Sequence, residues 1–348
     1  MKQMMVTGGV GSVGRAVVER LLATRPEIER IVIYSRDEHK QGDMAQDLAA
    51  HAGKLDFIIG DVKDRDHLRR SLRDIDTVVH TAAMRLVPHA EANPEECLRT
   101  NVEGAMSLAA AVADSHVQKV VAISSDKAVA PTTIYGASKF SMERVFLNAD
   151  RKTDARFSLV RYANILNSRS SVAPLFLKQR ETGVLTLTDP QMSRFSITME
   201  EGVDLILFGL DHGWGGELIC PISPSYRVCD MAMAIAPDAE HRIIGARPGE
   251  KLHEAMFSIT EAPFVARRGG YYIVTPIRGR WNLASYCAEV PDAAPLENLS
   301  EYESGSNQDW LSVEDIRALV TRVFEIACGP PAAPSLDSAS DQIDSALQ

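Results

Sequence analysis

Tyr135-Gly136-Ala137-Ser138-Lys139 sets a tyrosine and a lysine four residues apart, a spacing that puts both side chains on one face of a helix. An ammonium near a phenol favours the phenolate and draws the tyrosine pKa down from about 10. Such a group can take the proton of an alcohol while a hydride leaves the same carbon. A short way upstream an apolar run ends in Ser124-Ser125-Asp126-Lys127. At the end of a strand facing a cofactor, these residues would look onto the tyrosine; the bland alternative is a solvated ion pair.

A hydride needs an acceptor, and Thr7-Gly8-Gly9-Val10-Gly11-Ser12-Val13-Gly14 could hold one. Gly8, Gly11 and Gly14 permit a tight turn and close backbone approach, and the N–H groups of Ser12, Val13 and Gly14 at a helix start suit a pyrophosphate. The next apolar run ends in Ser35-Arg36-Asp37-Glu38. An acidic residue at such a strand end binds the ribose hydroxyl of NAD, whereas an arginine accommodates the extra phosphate of NADP. Ser35 and Arg36 come first here, so the sequence predicts NADP over NAD. Asp61 and Val62 follow the third run, where the adenine edge would lie, and Ala82 and Ala83 follow the fourth, where small residues let a cofactor lie close. Tyr135 and Lys139 would flank its nicotinamide end.

These residues need a scaffold that brings strand ends together. Apolar runs at Met4–Thr7, Arg30–Tyr34, Leu55–Ile59, Thr77–His80, Lys119–Ser124 and Ser158–Tyr162 alternate with helical patterns at Ser12–Thr24, Asp43–His51, Asp66–Leu72, Pro94–Ser115 and Ile134–Asn148. Such alternation predicts an α/β fold, a Rossmann-type doubly wound parallel sheet. After about Ser168 the rhythm breaks into short Pro-, Gly- and Ser-rich segments. Residues 1–167, with a return segment at about 199–222, are expected to form the dinucleotide-binding domain; 168–198 and 223–329 a smaller substrate-binding domain; and 330–348 a disordered tail. Ser312–Cys328 reads as a last helix.

The 348 residues carry 37 Lys+Arg against 47 Asp+Glu, a net charge of −10 that argues against nucleic acid or an anionic membrane as partner. Five scattered cysteines form no CxxC pair, so neither a disulfide framework nor a metal site is expected. No apolar run approaches the ~20 residues of a membrane helix. Met1–Thr7 has no leader pattern, and a cytoplasmic protein is expected.

The segments Thr7–Gly14, Tyr34–Glu38, Gly60–Asp64, Ser124–Ala128 and Tyr135–Lys139 together resemble the extended short-chain dehydrogenase/reductase superfamily. More narrowly they resemble its soluble, inverting UDP-N-acetylglucosamine 4,6-dehydratases, a resemblance that Arg161–Asn164, Arg194-Phe195, Arg247–Glu254 and Tyr302–Leu311 extend. Asp-Lys is the discriminating pair, because the dTDP-glucose relatives carry Asp-Glu there and plain epimerases usually lack the pair. The resemblance implies that Tyr135, tuned by Lys139, removes the C4 hydroxyl proton as NADP accepts the C4 hydride. Lys127 then takes the C5 proton and later returns one from the opposite face. Asp126, carrying a proton in a secluded pocket, helps the C6 hydroxyl leave as water, and Ser125 binds the C4 oxygen.

By the same resemblance Arg85, Arg161, Asn164, Arg169, Arg194, Arg247 and Glu250 meet the nucleotide sugar, the arginines suiting a diphosphate. The chain departs from the family pattern at Arg85-Leu86, at Ala163 and at Asn167 to Ser170, all bordering the expected sugar site. A different nucleotide or hexosamine is therefore compatible with the same chemistry. The competing readings are a nucleotide-sugar 4-epimerase, a dehydratase of altered regiochemistry, and a non-catalytic NADP-binding regulator. The family also implies a homo-oligomer, a dimer or hexamer.

Overall fold

Strands and helices alternate through the first half of the chain because apolar runs and amphipathic stretches alternate there. A computed structural model describes residues 1–166 and 171–324. The elements are β1 (Gln3–Thr7), α1 (Ser12–Thr24), β2 (Arg30–Ser35), α2 (Glu38–Asp47), β3 (Leu55–Ile59), α3 (Arg65–Ser71), β4 (Thr77–His80), α4 (Val87–Ala92), α5 (Pro94–Leu98), α6 (Gly104–Ala113), β5 (Lys119–Ser125), α7 (Ile134–Lys152) and β6 (Arg156–Tyr162). Across the sheet the order is β3-β2-β1-β4-β5-β6, continued by Leu218–Pro221, all in parallel pairs. The order reverses between β1 and β4, and such a reversal opens the crevice where ligands of these folds bind.

Met4, Met5 and Val6 of β1, Ile31 to Tyr34 of β2 and Val78 and Val79 of β4 are fully buried. Apolar side chains on both faces are what a parallel sheet between two helix layers requires. Helix α1 lays Gly14, Val17, Val18 and Leu21 on the sheet, each valine or leucine contributing about 1.5–3 kcal/mol by leaving water.

Two helices differ from the sequence pattern. Helix α2 begins at Glu38 rather than Asp43, because the Asp37 carboxylate accepts the Lys40 N–H and caps it there. The stretch expected as one helix from Pro94 to Ser115 contains a π-helical turn at Arg99–Glu103. There Asn101 is buried, its amide bonded to both main-chain groups of Met84 and to Ser138 Oγ.

The second half builds a smaller core from Phe176, Leu185, Leu187, Tyr226, Met231, Ile235, Ile316 and Val320. It joins the helices Val172–Gln179, Val228–Ile235 and Val313–Phe324 to the strand pair Val184–Leu187 and Glu240–Ile243. The strands between 265 and 295 do not stay with this core, contrary to the boundary drawn from sequence at 223–329. Tyr271–Val274, Val265–Arg268 and Ala293–Pro295 extend the main sheet in antiparallel fashion beyond Leu218–Pro221. The physical reason is an open edge of unpaired backbone that Val265, Ala266, Ile273 and Val274 cover while burying their side chains. The end of the expected last helix and the tail 330–348 lie outside the described residues, and within them no helix is long and apolar enough to cross a membrane.

Candidate active site

A cavity of about 960 Å³ lies at the C-terminal ends of the parallel strands, walled on its far side by the second core. One half is lined by Gly8, Gly11, Ser12, Val13, Gly14, Ser35, Arg36, Val62, Ala82 and Ala83. Gly8 has φ +69°, and a Cβ there would stand 2.8 Å from the backbone of Ala82; at Gly14 it would stand 2.6 Å from the Gly8 carbonyl. Only glycine allows this turn to close under α1. Gly11 occupies the cap position of α1, and among the described residues no side chain caps the first-turn N–H groups, which leaves them to an anion. The cradle fits the pyrophosphate of a dinucleotide.

Two expected wall residues sit elsewhere. Thr7, last in β1, is fully buried under the turn with Oγ1 2.7 Å from His80 Nδ1. Burial, then the Lys139 charge, pushes the His80 imidazole down to about 3, so this contact is between neutral groups. The Asp61 carboxylate accepts the Lys63 N–H and lies 3.5 Å from both Lys63 Nζ and Arg36 Nη1. Arg36 also stands 3.7 Å from Glu96. Lys40 joins this rim, a residue the sequence reading did not single out.

The other half gathers Arg85, Ser125, Asp126, Lys127, Tyr135, Lys139, Asn164, Arg194, Arg247 and Glu250. Strand β5 ends at Ser125 and the Asp126–Ala128 turn follows at once. Helix α7 starts beside it, capped by Thr133. At Gly136 a Cβ would stand 2.3 Å from the Lys127 carbonyl, so the missing side chain lets turn and helix touch. Asp126 is buried: Oδ1 accepts from Ser125 Oγ at 2.8 Å, Lys127 N at 2.8 Å and Lys127 Nζ at 3.1 Å. Its Oδ2 has no partner among the described residues.

Burial works against the Lys127 ammonium, but Asp126 and Glu254 outweigh it and hold the pKa above the usual lysine range. Burial drives the Tyr135 phenol the other way from the expected fall: it is raised, with Lys127, a hydrogen bond with Ser125 and Arg85 opposing. Lys139 Nζ donates to the Ile123 carbonyl at 2.7 Å. Burial takes Lys139 itself down to about 8, Glu143 opposing.

The substrate-side arginines divide. Arg161 does not face the cavity: it is 1% exposed and its guanidinium binds Glu143, Glu261 and the Met256 carbonyl. A buried guanidinium needs such carboxylates, and the strand alternation of β6 turns it to the back of the sheet. Arg194 lines the cavity but spends donors on the carbonyls of Ser193, Leu252 and Lys251, pinning the loop that carries Arg247 and Glu250. Arg169 and the altered 167–170 segment lie outside the described residues.

The family described as "Polysaccharide biosynthesis protein" matches residues 4–276. A UDP-N-acetylglucosamine 4,6-dehydratase (inverting) of Campylobacter jejuni is 37% identical over 328 residues, covering 92% of this chain and 97% of that relative. A UDP-glucose 4-epimerase of Rickettsia felis is also 37% identical, over 330 residues, covering 92% and 95%. Among solved structures, Pen from Bacillus thuringiensis superposes with TM-score 0.84 at 27% identity, over 93% of this chain and 98% of that one. DesIV, a dTDP-glucose 4,6-dehydratase of Streptomyces venezuelae, shares the fold with TM-score 0.68 at 20% identity, over 93% and 97%. Sheet order, glycine turn and Tyr-x-x-x-Lys helix thus define an extended short-chain dehydrogenase/reductase. Within that class the chain belongs to the polysaccharide biosynthesis protein family.

Proposed function

We propose that this protein is an NADP-dependent 4,6-dehydratase of a nucleotide sugar, UDP-N-acetylglucosamine or a close analogue, and that it inverts C5. The observation that carries the reading is the Asp126–Lys127 pair, 3.1 Å apart, sharing the cavity with Tyr135. Redox at C4 needs only a tyrosine and a lysine; an added acid and base are what loss of water across C5 and C6 demands.

Bound nicotinamide supplies the chemistry of taking a hydride from C4 and giving one to C6. Tyr135, ionised against its burial with the help of Lys127 and Arg85, takes the C4 hydroxyl proton, with Ser125 on the same oxygen. Passage of one proton from Lys127 Nζ to Asp126 turns the ion pair into a neutral amine and a neutral acid. The amine then removes the C5 proton, acidified by the C4 ketone, while Asp126 protonates the departing C6 hydroxyl. Lys127 next delivers a proton to the opposite face of C5, which inverts that centre, and the proton held by Tyr135 restores Lys127. Each group ends as it began.

The preference for NADP rests on Ser35 rather than a carboxylate at the end of β2, and on Arg36 and Lys40 at a cavity rim that Asp37 shares. Arg85, Arg194, Arg247, Asn164 and Glu250 are the proposed substrate contacts, and Arg169 belongs with them by resemblance. A cytoplasmic homo-oligomer completes the reading, with the exposed Leu98, Met106 and Phe140 of α5, α6 and α7 as the apolar surface it would cover.

Incubation with UDP-N-acetylglucosamine in deuterated water, read by NMR, tests it. The expected product is a 4-keto-6-deoxy sugar with deuterium at an inverted C5. A C4 epimer with no deuterium at C5, and turnover that survives Lys127→Ala, would establish the epimerase reading that the Rickettsia relatives suggest.

A further inference from the structure

Lys127 Nζ touches a third acceptor that neither the motif nor the proposed reaction uses. Besides Asp126 Oδ1 at 3.1 Å it meets Asn164 Oδ1 at 3.2 Å and Glu254 Oε1 at 3.2 Å. Of the three N–H donors of the ammonium, two are hydrogen-bonded, to Asp126 and Asn164, and Glu254 is its ion-pair partner. Glu254 comes from the far half of the chain and is 3% exposed. Its backbone is fixed independently of its carboxylate: the N–H donates to Ser304 Oγ at 3.0 Å, and the carbonyl accepts the Ser304 N–H at 2.8 Å. The carboxylate is thereby left to serve the cavity, with Oε2 3.6 Å from Lys251 Nζ and no hydrogen bond of its own.

We propose that Glu254 is a positioning residue for Lys127: its carboxylate, on a backbone fixed by Ser304, holds Nζ beside Asp126 by charge while Asn164 accepts one N–H, so that a position on Nζ stays open for the proton it exchanges. A neutral amine keeps two N–H donors and gains one lone pair. Asn164 accepts one of the two donors, and the lone pair is left to meet the C5 hydrogen while Asp126 carries the proton. The second negative charge also delays loss of that proton. The charged or titratable groups facing Nζ are Asp126, Glu254, Arg194 and Tyr135, from the β5 turn, the 247–254 loop, the strand Ser193–Ile197 and α7. Of these, Asp126 and Glu254 favour the ammonium and Arg194 opposes it. The proposal rests on the dehydratase reading for its consequence in turnover, but its physical content does not.

The test is amine labelling of the full-length protein with acetic anhydride across pH 7–12 in ~0.5-unit steps, read peptide by peptide by mass spectrometry. In Glu254→Gln, Lys127 is expected to label at least tenfold faster near pH 9 than in the unsubstituted protein, with the Lys139 profile unmoved. Glu254→Asp keeps the charge but withdraws it by one methylene, and its midpoint should fall between the two. A Lys127 profile unchanged in folded Glu254→Gln, or equally shifted in both variants, overturns the proposal. Should Glu254→Gln not fold, a wild-type-like midpoint in Glu254→Asp overturns it. Deuterium exchange at C5 separates the two readings. A shifted Lys127 profile in a protein that never turns over a nucleotide sugar sinks the dehydratase reading alone. Turnover with an unshifted profile sinks Glu254 alone.

Discussion

Arg36 is the residue on which cofactor choice turns. With 60% of its side chain exposed, its contacts to Asp61 and Glu96, 3.5 and 3.7 Å away, are loose, and exposed pairs of this kind contribute about 0–1 kcal/mol. Little is therefore lost when the guanidinium swings to a phosphate, where a planar fork gains two parallel bonds. Arg36→Ala is expected to weaken NADP binding at least tenfold and leave NAD binding within about twofold, measured by calorimetry. Equal weakening of both would place the phosphate contact elsewhere, with Lys40 the next residue to change.

At the scale of elements, the site depends on how closely α7 approaches the Asp126–Ala128 turn. Gly136 permits that approach, since any Cβ would stand 2.3 Å from the Lys127 carbonyl. Backbone cannot yield as a flexible side chain can, so Gly136→Ala should push the turn away from Tyr135. Misplacing reacting groups by about 1 Å costs on the order of 100-fold in rate. Gly136→Ala is therefore expected to lower kcat about 100-fold with the helix content unchanged by circular dichroism, and to destabilise by about 1–3 kcal/mol from overpacking. A fully active variant would show that the turn and helix need not touch.

The whole molecule stores a pH response far from the cavity. Glu217 lies at the opposite end of the sheet, just before Leu218–Pro221; it is 1% exposed and neither carboxylate oxygen has a hydrogen-bond partner among the described residues. Burial, against the opposing influence of Ser158 and with Asp150 reinforcing it, pushes its pKa up to about 7. Asp150 is raised as well, chiefly by burial. A carboxyl whose pKa is higher folded than unfolded binds more protons in the native state, so stability falls as pH rises from about 4.5 to about 7 and levels off above. Glu217→Gln should remove that slope, gaining up to about 3 kcal/mol on the natural chain between pH 5 and pH 8, read from urea unfolding at each pH. Parallel stability curves for the two proteins would rule this out.

What the sequence by itself determined is what repeats or sits within a few residues. The β–α alternation, the glycine turn, the Tyr135–Lys139 spacing and the Asp126–Lys127 turn are all local patterns, and local backbone geometry places them at adjacent strand ends. Tertiary structure decided the partners. Arg161 and Arg194 look alike in the chain, yet one is locked between Glu143 and Glu261 behind the sheet and the other borders the cavity holding main-chain carbonyls. Asn101 reaches Met84 only because a π-turn rotates it inward. Glu254 meets Lys127 because the 247–254 loop folds back across the site. The edge strands at 265–295 were illegible for the same reason, being short runs whose pairing depends on an edge made elsewhere. A side chain's role is set by the groups within about 3 Å of it, and for these residues those groups come from distant parts of the chain.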